Sequence, residues 1–128
     1  MEALRTLIVD DSSVMRKIVE RALRQAGIPL ADVIEAANGS QALEILSQQT
    51  VDLVLTDINM PVMDGLELVR QLHKVDKARD VPVLMITTEG SESQVVQAIA
   101  CGARGYVRKP FTPEQIKRQV LSLLGPLN

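Results

Sequence analysis

Asp10 and Asp11 stand side by side behind one short apolar run, residues 7–9, and Asp57 stands just behind another, residues 53–55, with Ile58 and Asn59 following it. Thr87 and Thr88 close a third run, residues 83–86, and Lys109-Pro110 close a fourth around Tyr106 and Val107. If these runs are neighbouring strands of one parallel sheet, their ends bring together three carboxylates, a hydroxyl and an ammonium, because ligand sites of open α/β sheets lie beyond the carboxyl ends of the strands. Three carboxylates at close quarters are costly unless positive charge sits among them. Mg²⁺ suits such a place, since it takes oxygen ligands and keeps several waters, and Lys109 adds a second positive charge. A site of this composition is ready for phosphate: cation and ammonium neutralise its oxygens, and Thr87 can donate a hydrogen bond to one of them. A strand-end aspartate can then act as the nucleophile and become an aspartyl phosphate. A lone Asp at a strand end is more often a cap or turn former. The convergence of several strand ends is what favours chemistry at Asp57, Asp11, Asp10 and Lys109.

The elements that must position these groups are legible from periodicity. Five apolar runs, at 7–9, 33–36, 53–55, 83–86 and 106–107, are nearly continuous rather than alternating, which suits strands covered on both faces. Between them, Met15, Ile18, Val19, Ala22, Leu23 and Ala26 fall on one face of a helix, as do Ile116, Val120, Leu123 and Leu124. Shorter helical patterns occupy 39–48, 65–75 and 92–101. The pairs Asn38/Gln41, Asp64/Glu67, Ser91/Gln94 and Thr112/Gln115 read as helix starts, and Ser12 and Ser13 as caps of the first helix. Pro113 suits a first helical position, and Gly27 and Gly102 suit helix ends. Strand and helix alternating five times predict an α/β, doubly wound parallel sheet with helices on both faces, in one domain spanning 1–128.

Composition narrows the function classes. The chain has 128 residues, 46% of them hydrophobic, with no Trp, one Tyr and one Phe, so it can fold as one domain around an aliphatic core without a metal or disulfide staple. Net charge is −2 and no basic run appears, which argues against a nucleic-acid binder. A single cysteine, Cys101, excludes an internal disulfide and a multi-thiolate zinc site. No apolar stretch is long enough to span a membrane and no leader pattern is present, so a cytoplasmic protein is expected. His73 reads as a solvated or packing histidine, Cys101 as close helix packing, and the methionines at 15, 60, 63 and 85 as packing or loop residues.

Taken together, Val9-Asp10-Asp11-Ser12, Leu55-Thr56-Asp57-Ile58-Asn59-Met60-Pro61 with Asp64-Gly65, Ile86-Thr87-Thr88, and Gly105-Tyr106-Val107-Arg108-Lys109-Pro110-Phe111 resemble the receiver domain of bacterial response regulators, over the whole chain. The Ser12-Ser13-Val14-Met15-Arg16 stretch resembles the CheY-like chemotaxis subgroup in particular. The resemblance implies the flavodoxin-like (βα)5 fold with strand order 2-1-3-4-5. It implies Asp57 as phospho-acceptor and Mg²⁺ held by Asp11, the Asp57 carboxylate and the Asn59 main-chain carbonyl, with Asp10 on a metal-bound water. It also implies Lys109 paired with Asp57 and then with the phosphoryl group, Thr87 and Tyr106 as a switch pair, and a cis bond before Pro110. The implied partners are a histidine kinase as donor, a protein target on the face of the fourth helix, fifth strand and last helix, and in some systems a phosphatase. The domain is expected to be monomeric, to assist its own phosphorylation and dephosphorylation, and not to be an enzyme in the ordinary sense. A phosphorelay intermediate is the near alternative. A phosphohydrolase using an aspartyl phosphate is the distant one: the haloacid-dehalogenase type carries an acid two residues after its nucleophile, where this chain has Asn59, which cannot transfer a proton. A flavin or nucleotide module would want a Gly-rich loop after the first strand, where Asp10-Asp11 stands.

Overall fold

Runs that are apolar at every position call for cover on both faces, and in the computed structural model, which describes residues 2–88 and 92–125, the runs at 7–9, 53–55 and 83–86 are buried throughout while those at 33–36 and 106–107 are covered only in part. The elements alternate without exception: β1 (Leu4–Val9), α1 (Ser13–Gln25), β2 (Leu30–Ala36), α2 (Gly39–Gln48), β3 (Leu53–Asp57), α3 (Gly65–Leu72), a 3-10 turn at Asp76–Ala78, β4 (Val83–Thr88), α4 (Glu92–Cys101), β5 (Gly105–Lys109) and α5 (Pro113–Leu124). The strands form one parallel sheet in the order β2-β1-β3-β4-β5. This is the doubly wound arrangement, with β1 and β3 adjacent at its centre.

Alternate residues of each strand feed two separate apolar layers. Leu7, Val9, Val54, Val83 and Met85 pack under α2, α3 and α4. Ile8, Leu53, Leu55, Leu84, Ile86 and Val107 pack under α1 and α5, against Val19, Leu23, Ile116 and Val120. The central strand β3 is buried along its whole length, whereas β2, at the sheet edge, is largely half-exposed. Burial of this kind stabilises by about 25 cal/mol for each Å² of apolar surface removed from water.

The helix starts read from the sequence hold where they are described. Ser12 Oγ accepts from the Met15 N–H, Asn38 Oδ1 from Gln41 and Asp64 Oδ1 from Glu67. Thr112 and Gln115 form a reciprocal capping box with Pro113 behind it. Each such cap contributes about 1 kcal/mol. The Ser91 cap lies outside the described residues. Two boundaries differ from expectation. The strands extend beyond their apolar cores, because ladder pairing continues wherever a neighbour is present. The third helix, expected over 65–75, stops at Leu72, with His73 as its cap; the chain then turns through Asp76–Ala78 so that Val75 and Ala78 bury against the α2–α4 layer. At Gly102 the backbone is left-handed (φ 117°), and a Cβ there would overlap the His73 ring. His73 is thus a packing residue, wedged between the end of α3 and the turn after α4.

Candidate functional site

The sheet topology sets β1 and β3 side by side, so Asp10, the residue after β1, and Asp57, the last of β3, emerge together at the carboxyl edge. One carboxylate oxygen from each of Asp10, Asp11 and Asp57 lies within 4.8 Å of the others. Asp10 and Asp57 are buried, 3% and 9% exposed, while Asp11 opens to solvent. Lys109 reaches over from the end of β5: its Nζ lies 3.4 Å from Asp10 Oδ2 and 3.5 Å from Asp57 Oδ2. The sequence predicted a Lys109–Asp57 pair; the ammonium in fact bridges both buried carboxylates. The Lys109-Pro110 peptide is cis. Lys109, Pro110 and Phe111 line a cavity of about 330 Å³ with Met15 and Ile18 of α1.

The close approach of α3 completes the rim. The Gly65 N–H donates to the Ile58 carbonyl at 2.7 Å, and a Cβ on Gly65 would overlap the Asp57 main-chain carbonyl, so glycine is required for the helix to start this near the strand end. The backbone N–H groups of Asn59 and Ile58 favour the charged form of the Asp57 carboxylate. Burial nevertheless pushes the Asp57 carboxyl above its ordinary value; Lys109 opposes the shift, Asp10 reinforces it, and the two N–H groups oppose it again. Burial therefore wins over one ammonium shared between two acids. An all-oxygen donor set carrying excess negative charge fits a hard divalent cation such as Mg²⁺ and does not suit a soft metal.

Asp10 is fixed twice. Its Oδ1 accepts the Ser12 N–H at 2.9 Å, and its main-chain carbonyl accepts from Arg16 Nη1 at 2.7 Å. Arg16 Nε in turn donates to Glu35 Oε1 at 2.9 Å, and Lys17 Nζ to Glu35 Oε2 at 3.0 Å. Arg16, then Lys17, hold the Glu35 carboxyl below its ordinary value. Reading the sequence missed this prop. The signal was an arginine in the first turn after the acid pair, but its acceptor at the site is a backbone carbonyl, which has no sequence signature.

Thr87 is 1% exposed at the end of β4, and its hydroxyl donates to the Thr88 carbonyl at 3.3 Å. Met85 pairs with Tyr106 and Thr87 with Arg108 across β4 and β5, so Thr87 and Tyr106 share one face of the sheet, two positions out of register. The Tyr106 ring stands outward, 39% exposed. Asn59 lies at the rim, with its side-chain amide paired to Gln94 of α4, a contact the sequence did not suggest. Among the described residues no helix is long and apolar enough to cross a membrane.

Comparison with known proteins agrees with this geometry. A family model described as the response regulator receiver domain matches residues 6–121. A chemotaxis protein CheY homolog of Campylobacter jejuni is 41% identical over 123 residues, covering 95% of this chain and 93% of that one. The solved structure of the chemotaxis response regulator CheY4 of Vibrio cholerae superposes with a TM-score of 0.83 at 35% identity, covering 96% of this chain and all of the other. The receiver domain of the sensor histidine kinase PA1611 of Pseudomonas aeruginosa, solved with a magnesium ion coordinated in its active-site cleft, superposes with a TM-score of 0.84 at 26% identity, covering 98% of this chain and 100% of that one.

Proposed function

Because the chain belongs to the response regulator receiver domain family, we propose that it is a phosphorylatable switch of chemotaxis signalling, acting in the cytoplasm as a monomer, with Asp57 as its phospho-acceptor. The single observation that carries this reading is the placing of Asp57: a buried carboxylate within 4.8 Å of two further acids and 3.5 Å from Lys109 Nζ. An Asp57 oxygen attacks the phosphorus of a phosphohistidine on the donor kinase. The P–N bond breaks, the imidazole leaves with its electron pair and takes up a proton, and an acyl phosphate forms on Asp57. Mg²⁺ would be held by Asp11, Asp57 and the Asn59 main-chain carbonyl, with Asp10 acting through water; when bound it neutralises phosphoryl oxygens as charge develops. Lys109 is already poised between Asp10 and Asp57 and needs to move little to pair with the new phosphoryl oxygens.

Output follows from the β4–β5 register. Phosphate on Asp57 offers acceptor oxygens that the Thr87 hydroxyl can take in place of the Thr88 carbonyl. Thr87 shares its sheet face with Tyr106, so its movement frees room into which the outward ring can turn, reshaping the surface of α4, β5 and α5. Val96 and Ile99 of α4 and Tyr106 of β5 are all exposed, which suits a protein partner. The curated relatives named as chemotaxis proteins favour this role over a phosphorelay intermediate, and the amide at position 59 favours it over a phosphohydrolase.

The test is incubation with acetyl phosphate and Mg²⁺, borohydride trapping and mapping of the adduct by mass spectrometry. A single modification at Asp57, absent in Asp57→Asn and absent with excess chelator, is expected. Undiminished labelling of Asp57→Asn would overturn the assignment.

A further inference from the structure

The reading above gives Asn59 a role through its main chain and leaves its side chain unassigned. That side chain is engaged. Gln94 Nε2 donates to Asn59 Oδ1 at 3.0 Å, and Asn59 Nδ2 returns a longer bond to Gln94 Oε1 at 3.4 Å. The two carboxamides face each other head to head, satisfying one donor and one acceptor apiece. Such a pair is neutral, so it introduces no charge beside three carboxylates and does not titrate across the physiological range.

What the pair holds together matters more than its strength. Asn59 follows Asp57 by two residues, and the Ile58 and Asn59 N–H groups are those that favour the charged form of the Asp57 carboxylate. Gln94 belongs to the first turn of α4, whose neighbour Val95 is buried and anchors the turn. The same turn is tied on its other side, where Arg108 Nη2 of β5 meets Glu92 Oε1 at 2.7 Å, one residue before Lys109. The first turn of α4 is therefore fastened to both strand ends that bring Asp57 and Lys109 to the site.

We propose that Gln94 is a positioning residue of the metal site: by clasping the Asn59 side chain it fixes the orientation of the peptide units at 58 and 59, so that the Asn59 carbonyl is in place before a cation arrives. The inference rests on the metal-site reading above. A ligand held by groups already in position loses less on binding than one that must order them. By reciprocity, occupation of the site must tighten the clasp and with it the first turn of α4, since any coupling between two sites acts equally in both directions.

The test is a double-mutant cycle on Mg²⁺ affinity, by titration calorimetry on the unphosphorylated protein, with wild type, Gln94→Leu, Asn59→Ala and the double variant. Each single variant is expected to bind Mg²⁺ roughly fivefold to tenfold more weakly, and the double variant no more weakly than either, because both remove the same clasp. Gln94→Asn keeps the amide and the helix surface but falls a methylene short, and is expected to match Gln94→Leu. In wild type, Mg²⁺ should move the Gln94 side-chain NH₂ resonances, a signature that a merely structural residue would not give. Wild-type affinity in Gln94→Leu and Gln94→Asn, or fully additive losses in the cycle, would overturn the proposal while leaving the metal site standing. A wild type that takes up no Mg²⁺ would remove the metal-site reading and this inference with it.

Discussion

Replacing the proposed acceptor should make the metal-free domain more stable. The Asp57 carboxylate is 3.5 Å from the Lys109 ammonium, an attraction of about 5 kcal/mol at an effective dielectric constant near 20. Its repulsion by Asp10, with oxygens within 4.8 Å, is at least about 3.5 kcal/mol on the same scale. These nearly cancel, which leaves the burial of a 9%-exposed carboxylate as the deciding cost, on the order of 2 kcal/mol. Asp57→Asn keeps the size of the side chain and a carbonyl oxygen facing the Ile58 and Asn59 peptide units, and it removes that cost. The variant should melt roughly 6 °C above wild type in EDTA, since about 1 kcal/mol corresponds to roughly 3 °C in a domain of this size. The pH dependence has a definite sign. A carboxyl raised above its ordinary 3.8 penalises folding fully above its folded-state value, and the penalty is lost as pH falls through that value towards 3.8. The gap between variant and wild type should therefore narrow on acidification from pH 8 towards 4. Saturating Mg²⁺ should narrow the gap, stabilising wild type by about 2.7 kcal/mol at 100 times the dissociation constant and the variant by less. Melts followed by circular dichroism measure all three. An Asp57→Asn protein that melts with or below wild type in EDTA, or a gap that widens in acid, would refute the electrostatic reasoning.

Other outcomes follow from the same geometry. Asp11→Ala should weaken Mg²⁺ binding at least tenfold by calorimetry, the chain having no tryptophan to report it by quenching, and should slow labelling by acetyl phosphate in proportion. Thr87→Ala should still be phosphorylated, but should lose about tenfold or more of the gain in partner affinity that beryllofluoride induces in wild type, the worth of one charge-assisted hydrogen bond; an undiminished gain would break the proposed link to Tyr106. Gly102→Ala should lower stability by roughly 2 kcal/mol or more, because it meets both a left-handed backbone and the His73 ring, and Gly102→Ala with His73→Ala should recover part of the loss in denaturant titrations.

What the sequence disclosed and what it withheld divide along a physical line. The fold was legible because each strand carries an apolar run and the caps at Asn38, Asp64 and Thr112 are local, side chain to backbone across three residues. The convergence of Asp10, Asp11, Asp57 and Lys109 was legible for the same reason: each follows a strand, and parallel strands end on one edge. The supporting contacts were not. Arg16 acts on the Asp10 carbonyl, Gly65 on the Ile58 carbonyl, and Gln94 on Asn59 across 35 positions of chain; each needs a distance no spacing encodes. The early stop of α3 was hidden because Val75 and Ala78 continue the apolar pattern of a helix while packing as part of a turn.

The resting arrangement also bears on how the proposed switch could throw. Moving an equilibrium from 1:99 to 99:1 takes about 5.5 kcal/mol of differential interaction, more than the roughly 1.5–3 kcal/mol of one charge-assisted hydrogen bond. The starting state lowers the demand. The Thr87 hydroxyl makes a long 3.3 Å bond to the Thr88 carbonyl, so redirecting it sacrifices a weak bond. Lys109 is shared between two acids at 3.4 and 3.5 Å, so turning it to a phosphoryl group exchanges one anionic partner for another. The Tyr106 ring is already partly in water, and burying it returns apolar area to the interior. No single one of these groups supplies the required energy. Thr87, Lys109 and Tyr106 moving together can, which is why removal of Thr87 alone should weaken signalling while leaving the chemistry at Asp57 intact.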